Sequence, residues 1–228
     1  KIHMQIESAL NGLKELFAAN ANPERALQMS AYMRNQYDFI GLSSPQRKEL
    51  VKELRKEHYP ESNQELHSWV KLLWEQTERE YQYVAMDYLD RYGRLLKDED
   101  INLFDYLIEN KSWWDTIDIT CGNYLGKFLK TRPELFQSTL KRYIHHEYFW
   151  FNRAAIICQL FYKKETNTNY LTKAILPHTE SKEFFIQKAI GWALRQYART
   201  NPEWVLAFVE NHQLKPLSVR EALKHLKK

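Results

Sequence analysis

One helical phrase occurs three times in this chain in a single register: Gln82-Tyr83-Val84-Ala85, Asn152-Arg153-Ala154-Ala155 and Gln187-Lys188-Ala189-Ile190. Each copy has a tyrosine ten residues on, at Tyr92, Tyr162 and Tyr197. The copies start 70 and 35 residues apart, so the period is 35. A fixed period of this size marks helical units stacked side by side, with equivalent positions aligned along one surface. Residues 35 apart are therefore expected to be neighbours in space. Asp118, Arg153 and Lys188 occupy one repeat position, and Trp114 and Trp192 lie about one helical turn from it.

The rest of the chain agrees with a helical reading. Ile6, Leu10, Leu13, Leu16 and Phe17 fall on one stripe at helical spacing. Asn22-Pro23, Ser43-Ser44-Pro45, Thr131-Arg132-Pro133, Asn201-Pro202 and Lys215-Pro216 read as helix starts with proline in the first turn. Further starts are expected at Ser62, Thr77, Lys97-Asp98, Ser112, Glu147 and Ser181, giving roughly a dozen helices of about 10–18 residues. Lys163 to Asn169 is the most polar connection. Alternating β-branched runs bounded by Asn-Gly or Asp-Gly turns are missing, and there are only six glycines. The fold class is all-α. With no linker-like tract, residues 1–228 are expected to form a single domain.

Composition narrows the function classes. So few glycines argue against Gly-rich phosphate loops. Cys121 and Cys158 have no Cys or His at metal-ligand spacing, so they read as buried thiols, and neither a metal nor a cofactor is expected. The sequence lacks a spanning-length apolar run and a signal-peptide pattern, which leads to a cytoplasmic expectation. Lys1-Ile2-His3, ahead of Met4, receives no functional assignment. The net charge of +4 is unevenly spread: residues 1–140 carry −4, whereas residues 141–228 carry +8 from 15 Lys and Arg against seven Asp and Glu. A polyanion-binding surface gives such an asymmetry, and so does a solvated basic face.

On helices, Trp114 and Asp118 share a face, as do Phe185, Lys188, Trp192 and Arg195. Trp113 points roughly 100° away from Trp114 and reads as packing. A purely apolar core avoids unpaired charge, so the ionisable residues beside Trp114 and Trp192 suggest a site.

Several runs together resemble the AlkD family of HEAT-like-repeat DNA glycosylases, the DNA alkylation repair enzymes. They are Lys111-Ser112-Trp113-Trp114-Asp115-Thr116-Ile117-Asp118, Phe149-Trp150-Phe151-Asn152-Arg153-Ala154-Ala155 and Ser181 through Trp192. Tyr32 in Ala31-Tyr32-Met33-Arg34, the Ser44-Pro45 helix start and Leu217-Ser218-Val219-Arg220-Glu221-Ala222 extend the resemblance over nearly the whole chain. It is weakest at Thr120-Cys121-Gly122-Asn123, where a more apolar helix is expected.

The resemblance implies a right-handed superhelical array of antiparallel helix pairs, an α-solenoid, whose concave face holds duplex DNA. It further implies excision of purines made cationic by alkylation at N7 or N3, without flipping the base into a pocket. The residues that carry over are Asp118 as the catalytic carboxylate, Trp114 and Trp192 as aromatic walls, and Arg153 as a phosphate or lesion-site contact. Tyr32, Ser43, Ser44, Arg47, Lys48, Lys188, Arg195 and Arg220 fall where DNA-contacting groups would be expected. A monomer acting on double-stranded DNA, without a metal, completes the expectation. Two other readings stay open: a DNA-binding or protein-binding helical scaffold without chemistry, and a lyase using Lys188 as a Schiff-base nucleophile.

Overall fold

A computed structural model describes residues 4–226, and Lys1-Ile2-His3 lie outside the described residues. The described residues form helices and connecting turns, with no strand among them. No described helix is long and apolar enough to cross a membrane. The chain divides into two compact units, Lys1–Leu107 and Ile108–Lys228.

The first unit contains α1 (Ile6–Ala19), α2 (Pro23–Tyr32), α3 (Ser44–Leu54), α4 (Asn63–Trp74) and α5 (Arg79–Tyr92), and ends within α6 (Ile101–Glu109). The starts of α2, α3 and α4 are those the polar caps foretell, whereas α5 opens at Arg79 behind Glu78, two residues past Thr77, with no side-chain cap. Asn22, Ser43 and Ser62 each accept a hydrogen bond from the backbone N–H three residues on, satisfying a donor the helix leaves open. Apolar faces then converge, burying Leu13, Phe17, Leu66, Trp69, Val70, Leu73 and Val84. The side chain of Glu80 is buried as well, and its carboxylate accepts the N–H groups of Ile40, Gly41 and Leu42. Burial raises its pKa, against the opposing pull of those backbone bonds.

The second unit continues with α7 (Trp114–Ile119), a π-helical turn (Thr120–Leu125), α8 (Gly126–Lys130), α9 (Pro133–Ile144) and α10 (Phe149–Ile157). It closes with α11 (Thr168–Ile175), α12 (Phe184–Ala198), α13 (Pro202–Asn211) and α14 (Pro216–Ala222). Two expectations need adjusting. The polar run through Asn169 is not all connection, because Asn167 caps α11 by accepting from the Tyr170 N–H, and the helix opens at Thr168. The segment expected to be apolar is instead a widened π turn that buries Thr120, Cys121 and Gly122. Small residues let α10 approach this turn: a Cβ at Gly126 would lie 2.5 Å from the Cys158 carbonyl oxygen. Cys121 and Cys158 are both buried, and burial pushes the Cys158 thiol up to about 12.

The repeated phrase has a physical cause. In each copy the leading amide side chain reaches back to the end of the preceding helix. Gln82 Nε2 bonds the carbonyls of Leu73, Trp74 and Gln76; Asn152 Nδ2 bonds those of Tyr143, Ile144 and His146; Gln187 Nε2 bonds those of His178, Thr179 and Ser181. The acceptors lie nine, eight and six residues before the amide every time. Carbonyls at a helix C-terminus have no partner within their own helix, so a buried amide that collects three of them closes the helix and fixes the turn. All three amide residues are buried.

Asn152→Leu keeps the approximate volume but strands three carbonyls. It is expected to cost about 3 kcal/mol of stability, from roughly 1–3 kcal/mol per unsatisfied buried group with partial rescue by water. Urea denaturation measures this; a loss below about 0.5 kcal/mol would show that the amide does not hold the turn.

Position 117 of the same register holds Ile instead of an amide. There the Ser112 hydroxyl donates to the Ile108 carbonyl, nine residues before Ile117, and takes over one of the three closures.

Candidate functional site

The 35-residue spacing places Asp118 on α7 against Arg153 on α10. Arg153 Nε donates to Asp118 Oδ1 at 2.8 Å and Nη2 to Oδ2 at 3.0 Å, a two-pronged ion pair. Nη1 donates to the Phe185 carbonyl oxygen at the start of α12, so one guanidinium ties three helices together. Each of its three nitrogens has a partner, and Arg153 is only 4% exposed. The guanidinium is thus fully engaged by the Asp118 carboxylate and the Phe185 carbonyl.

Asp118 is left reachable, its side chain 18% exposed. Burial raises its pKa; the Arg153 hydrogen bonds and charge oppose that rise, and Asp115 adds to it. The result is a carboxylate in low-dielectric surroundings, held by a fork whose geometry matches it.

Aromatic rings surround the pair. The Arg153 guanidinium carbon lies 5.8 Å from the Trp192 ring centroid and 5.9 Å from that of Phe185. Phe185 in turn packs against Trp150 at 4.9 Å, Trp113 at 5.3 Å and Phe184 at 5.5 Å. Trp113 meets the expectation of a packing residue, although its Nε1 is buried without a hydrogen-bond acceptor among the described residues. Trp114 and Trp192 are partly exposed, one at the start of α7 and the other in the middle of α12.

Further along α12, Lys188 and Arg195 share one carboxylate. Glu221 of α14 lies 3.4 Å from Lys188 Nζ and 2.6 Å from Arg195 Nη1. Burial works to raise the Glu221 carboxyl, yet the combined attraction of Lys188, Arg195 and Lys224 leaves it below its ordinary value. Gly191 makes the arrangement possible, since a Cβ there would meet the Glu221 Cβ at 2.5 Å. Ser218 completes the contact, donating to the Gln187 side-chain oxygen at 2.6 Å. Arg220, on the same helix, is exposed.

The remaining expected contacts belong to the first unit. Tyr32, the last residue of α2, is 72% exposed, and Ser44 and Lys48 on α3 are also exposed. Ser43 is the α3 cap, its hydroxyl engaged by the Gln46 N–H. Arg47 is engaged within the first unit. It forms a two-pronged pair with Asp87 at 2.9 and 3.3 Å, lies over the Tyr83 ring and has a side chain only 12% exposed. The physical reason is a carboxylate on α5 facing the first turn of α3. Asp87 and Glu221 are partners with no place among the site residues expected from the sequence.

An all-helical protein with a forked carboxylate–guanidinium pair among tryptophans defines the class of site. The family model for DNA alkylation repair enzymes matches residues 13–226. A solved structure from Enterococcus faecalis, described as a predicted DNA alkylation repair enzyme, is similar at 38% identity and a TM-score of 0.84. That similarity covers 91% of this chain and 97% of the other. No curated protein matches. The chain belongs to the DNA alkylation repair enzyme family.

Proposed function

We propose that this protein is a monofunctional DNA glycosylase that hydrolyses the N-glycosidic bond of alkylated purines, of the 7-methylguanine and 3-methyladenine type, in duplex DNA. Family membership supports a DNA repair role. The observation that carries the finer reading is Asp118, partly exposed and held by both nitrogens of the Arg153 fork beside Trp192. In this reading the chain is a metal-free monomer, one superhelical array over residues 1–228. Tyr32, Ser44, Lys48, Lys188, Arg195 and Arg220 provide its outer contacts to DNA.

An alkylated purine carries positive charge and is already a good leaving group. As the bond to C1′ breaks, its electron pair leaves with the base, which becomes neutral, and positive charge develops on the sugar. A fixed carboxylate stabilises that charge without reorganising, which is the largest kind of electrostatic contribution. Water then adds to C1′ and loses a proton, and Asp118 is suited to orient it. Arg153 acts as a positioning residue: it keeps Asp118 ionised and aimed. Trp114 and Trp192 offer ring faces that attract cations and polarised C–H groups.

The test is incubation of the purified protein with methylated duplex DNA and measurement of released 7-methylguanine and 3-methyladenine. Release well above the spontaneous rate is expected, leaving an intact abasic strand. DNA binding without release would favour a non-catalytic DNA-binding array instead. Borohydride trapping of a covalent adduct would transfer the chemistry to a lyase, with Lys188 as its nucleophile.

A further inference from the structure

Between α10, α11 and α12 the second unit forms a partly open cavity of about 240 Å³ that no part of the proposed reaction uses. Its floor is aliphatic and buried: Ile156, Leu160, Leu171 and Ala193. Its rim is polar and carries only positive charge, from Lys163 and Arg199, with Thr166, Gln196 and Thr200 between them. No carboxylate lines it.

Three facts set this cavity apart from an ordinary gap between helices. Neither Lys163 nor Arg199 has an ion-pair partner among the described residues, while Glu165, the nearest acid in sequence, is taken by Lys130. Lys163 adopts a left-handed backbone, φ 52°, where glycine would be at ease, yet a long cationic side chain occupies the position. The wall is also fixed, because the Gln159 side chain both accepts from the Asn167 N–H at 2.7 Å and donates to the Asn167 carbonyl at 3.2 Å.

An apolar floor under unpaired cations and hydroxyls fits one ligand chemistry: a small amphiphilic anion. We propose that this cavity binds a small carboxylate with a short apolar body, its hydrocarbon on the Ile156–Leu160–Leu171 floor and its charge between Lys163 and Arg199. The volume is smaller than the roughly 300 Å³ at which drug-sized sites begin, which favours a small ligand. The proposal is independent of the glycosylase reading, since it concerns neither Asp118 nor DNA.

Hexanoate is the probe, with hexanol as the uncharged control, both titrated calorimetrically into the full chain. Hexanoate is expected to bind with a millimolar Kd, and hexanol at least tenfold more weakly, because charge-assisted hydrogen bonds are the stronger kind. Lys163→Gln/Arg199→Gln, an exposed pair whose change leaves the core intact, is expected to weaken hexanoate about tenfold or more. Ala193→Leu, which fills the floor, is expected to do the same with both charges in place. Absence of heat up to tens of millimolar hexanoate, or equal binding of hexanol, overturns the proposal. So does an unaltered hexanoate affinity in the double variant. If the double variant instead loses DNA affinity with a reduced salt slope while hexanoate binding is unchanged, the two cations serve the DNA backbone and the cavity assignment fails.

Discussion

Asp118→Asn is expected to slow single-turnover excision of 7-methylguanine by about 100- to 1,000-fold, the usual effect of removing one preorganised electrostatic contact from a reacting centre. Affinity for undamaged duplex should change little, since Asp118 offers no positive charge to phosphate. The substitution also faces an amide N–H₂ toward the Arg153 fork, where a carboxylate accepted two bonds. Stability must therefore be measured alongside, and rates compared at temperatures where both proteins are fully folded. Excision within about twofold of wild type would remove Asp118 from the mechanism. Excision should fall as pH drops and Asp118 is protonated, and the limb should lie above the ordinary aspartate range because burial raises its pKa.

Arg153→Ala should produce the second large effect, a loss of about 3 kcal/mol or more in folding stability together with slower excision. Removing one member of a buried pair leaves the other without compensation, and this costs more than the pair itself contributes. The sign of the pH dependence separates this cause from simple loss of packing. Without its guanidinium partner Asp118 loses the interactions that lower its pKa, so its folded-state value rises further above the unfolded one. A raised folded pKa gives stability that is fully present below the unfolded pKa and is lost as pH rises through the folded pKa. The deficit of Arg153→Ala should accordingly be largest near neutral pH and should shrink on acidification toward the range where Asp118 takes up a proton. A deficit independent of pH would mean that Asp118 is not the group left stranded. Arg153→Lys should fall between, since a lysine keeps the charge but not the two parallel bonds.

The period of 35 makes the heart of this site legible in the sequence. Asp118 and Arg153 are one period apart, and stacked helices bring such positions into contact, as the two hydrogen bonds between them attest. Caps at Asn22, Ser43 and Ser62 were legible for a local reason: a short polar side chain before a helix has a backbone donor within reach. The pairings of Arg47 with Asp87 and of Arg195 with Glu221 were not, because their separations of 40 and 26 residues follow no repeat and depend on how neighbouring helices pack. The π turn was hidden for a related reason. One extra residue per turn leaves no distinctive composition, and Thr120-Cys121-Gly122-Asn123 reads simply as a poor helix.

The amide that opens each repeated phrase has a use beyond this molecule. It measures distance: from Gln82, Asn152 or Gln187, counting back nine residues reaches the closing turn of the previous helix, whatever lies between. A helix pair too diverged to show an apolar pattern can still disclose its boundary through that interval. The interval also marks a place where the amide is replaced. Ile117 stands where the amide belongs, and the residue immediately after it is Asp118, so the carboxylate on which the proposed chemistry depends sits in a repeat whose turn is closed by the Ser112 hydroxyl instead of a buried amide.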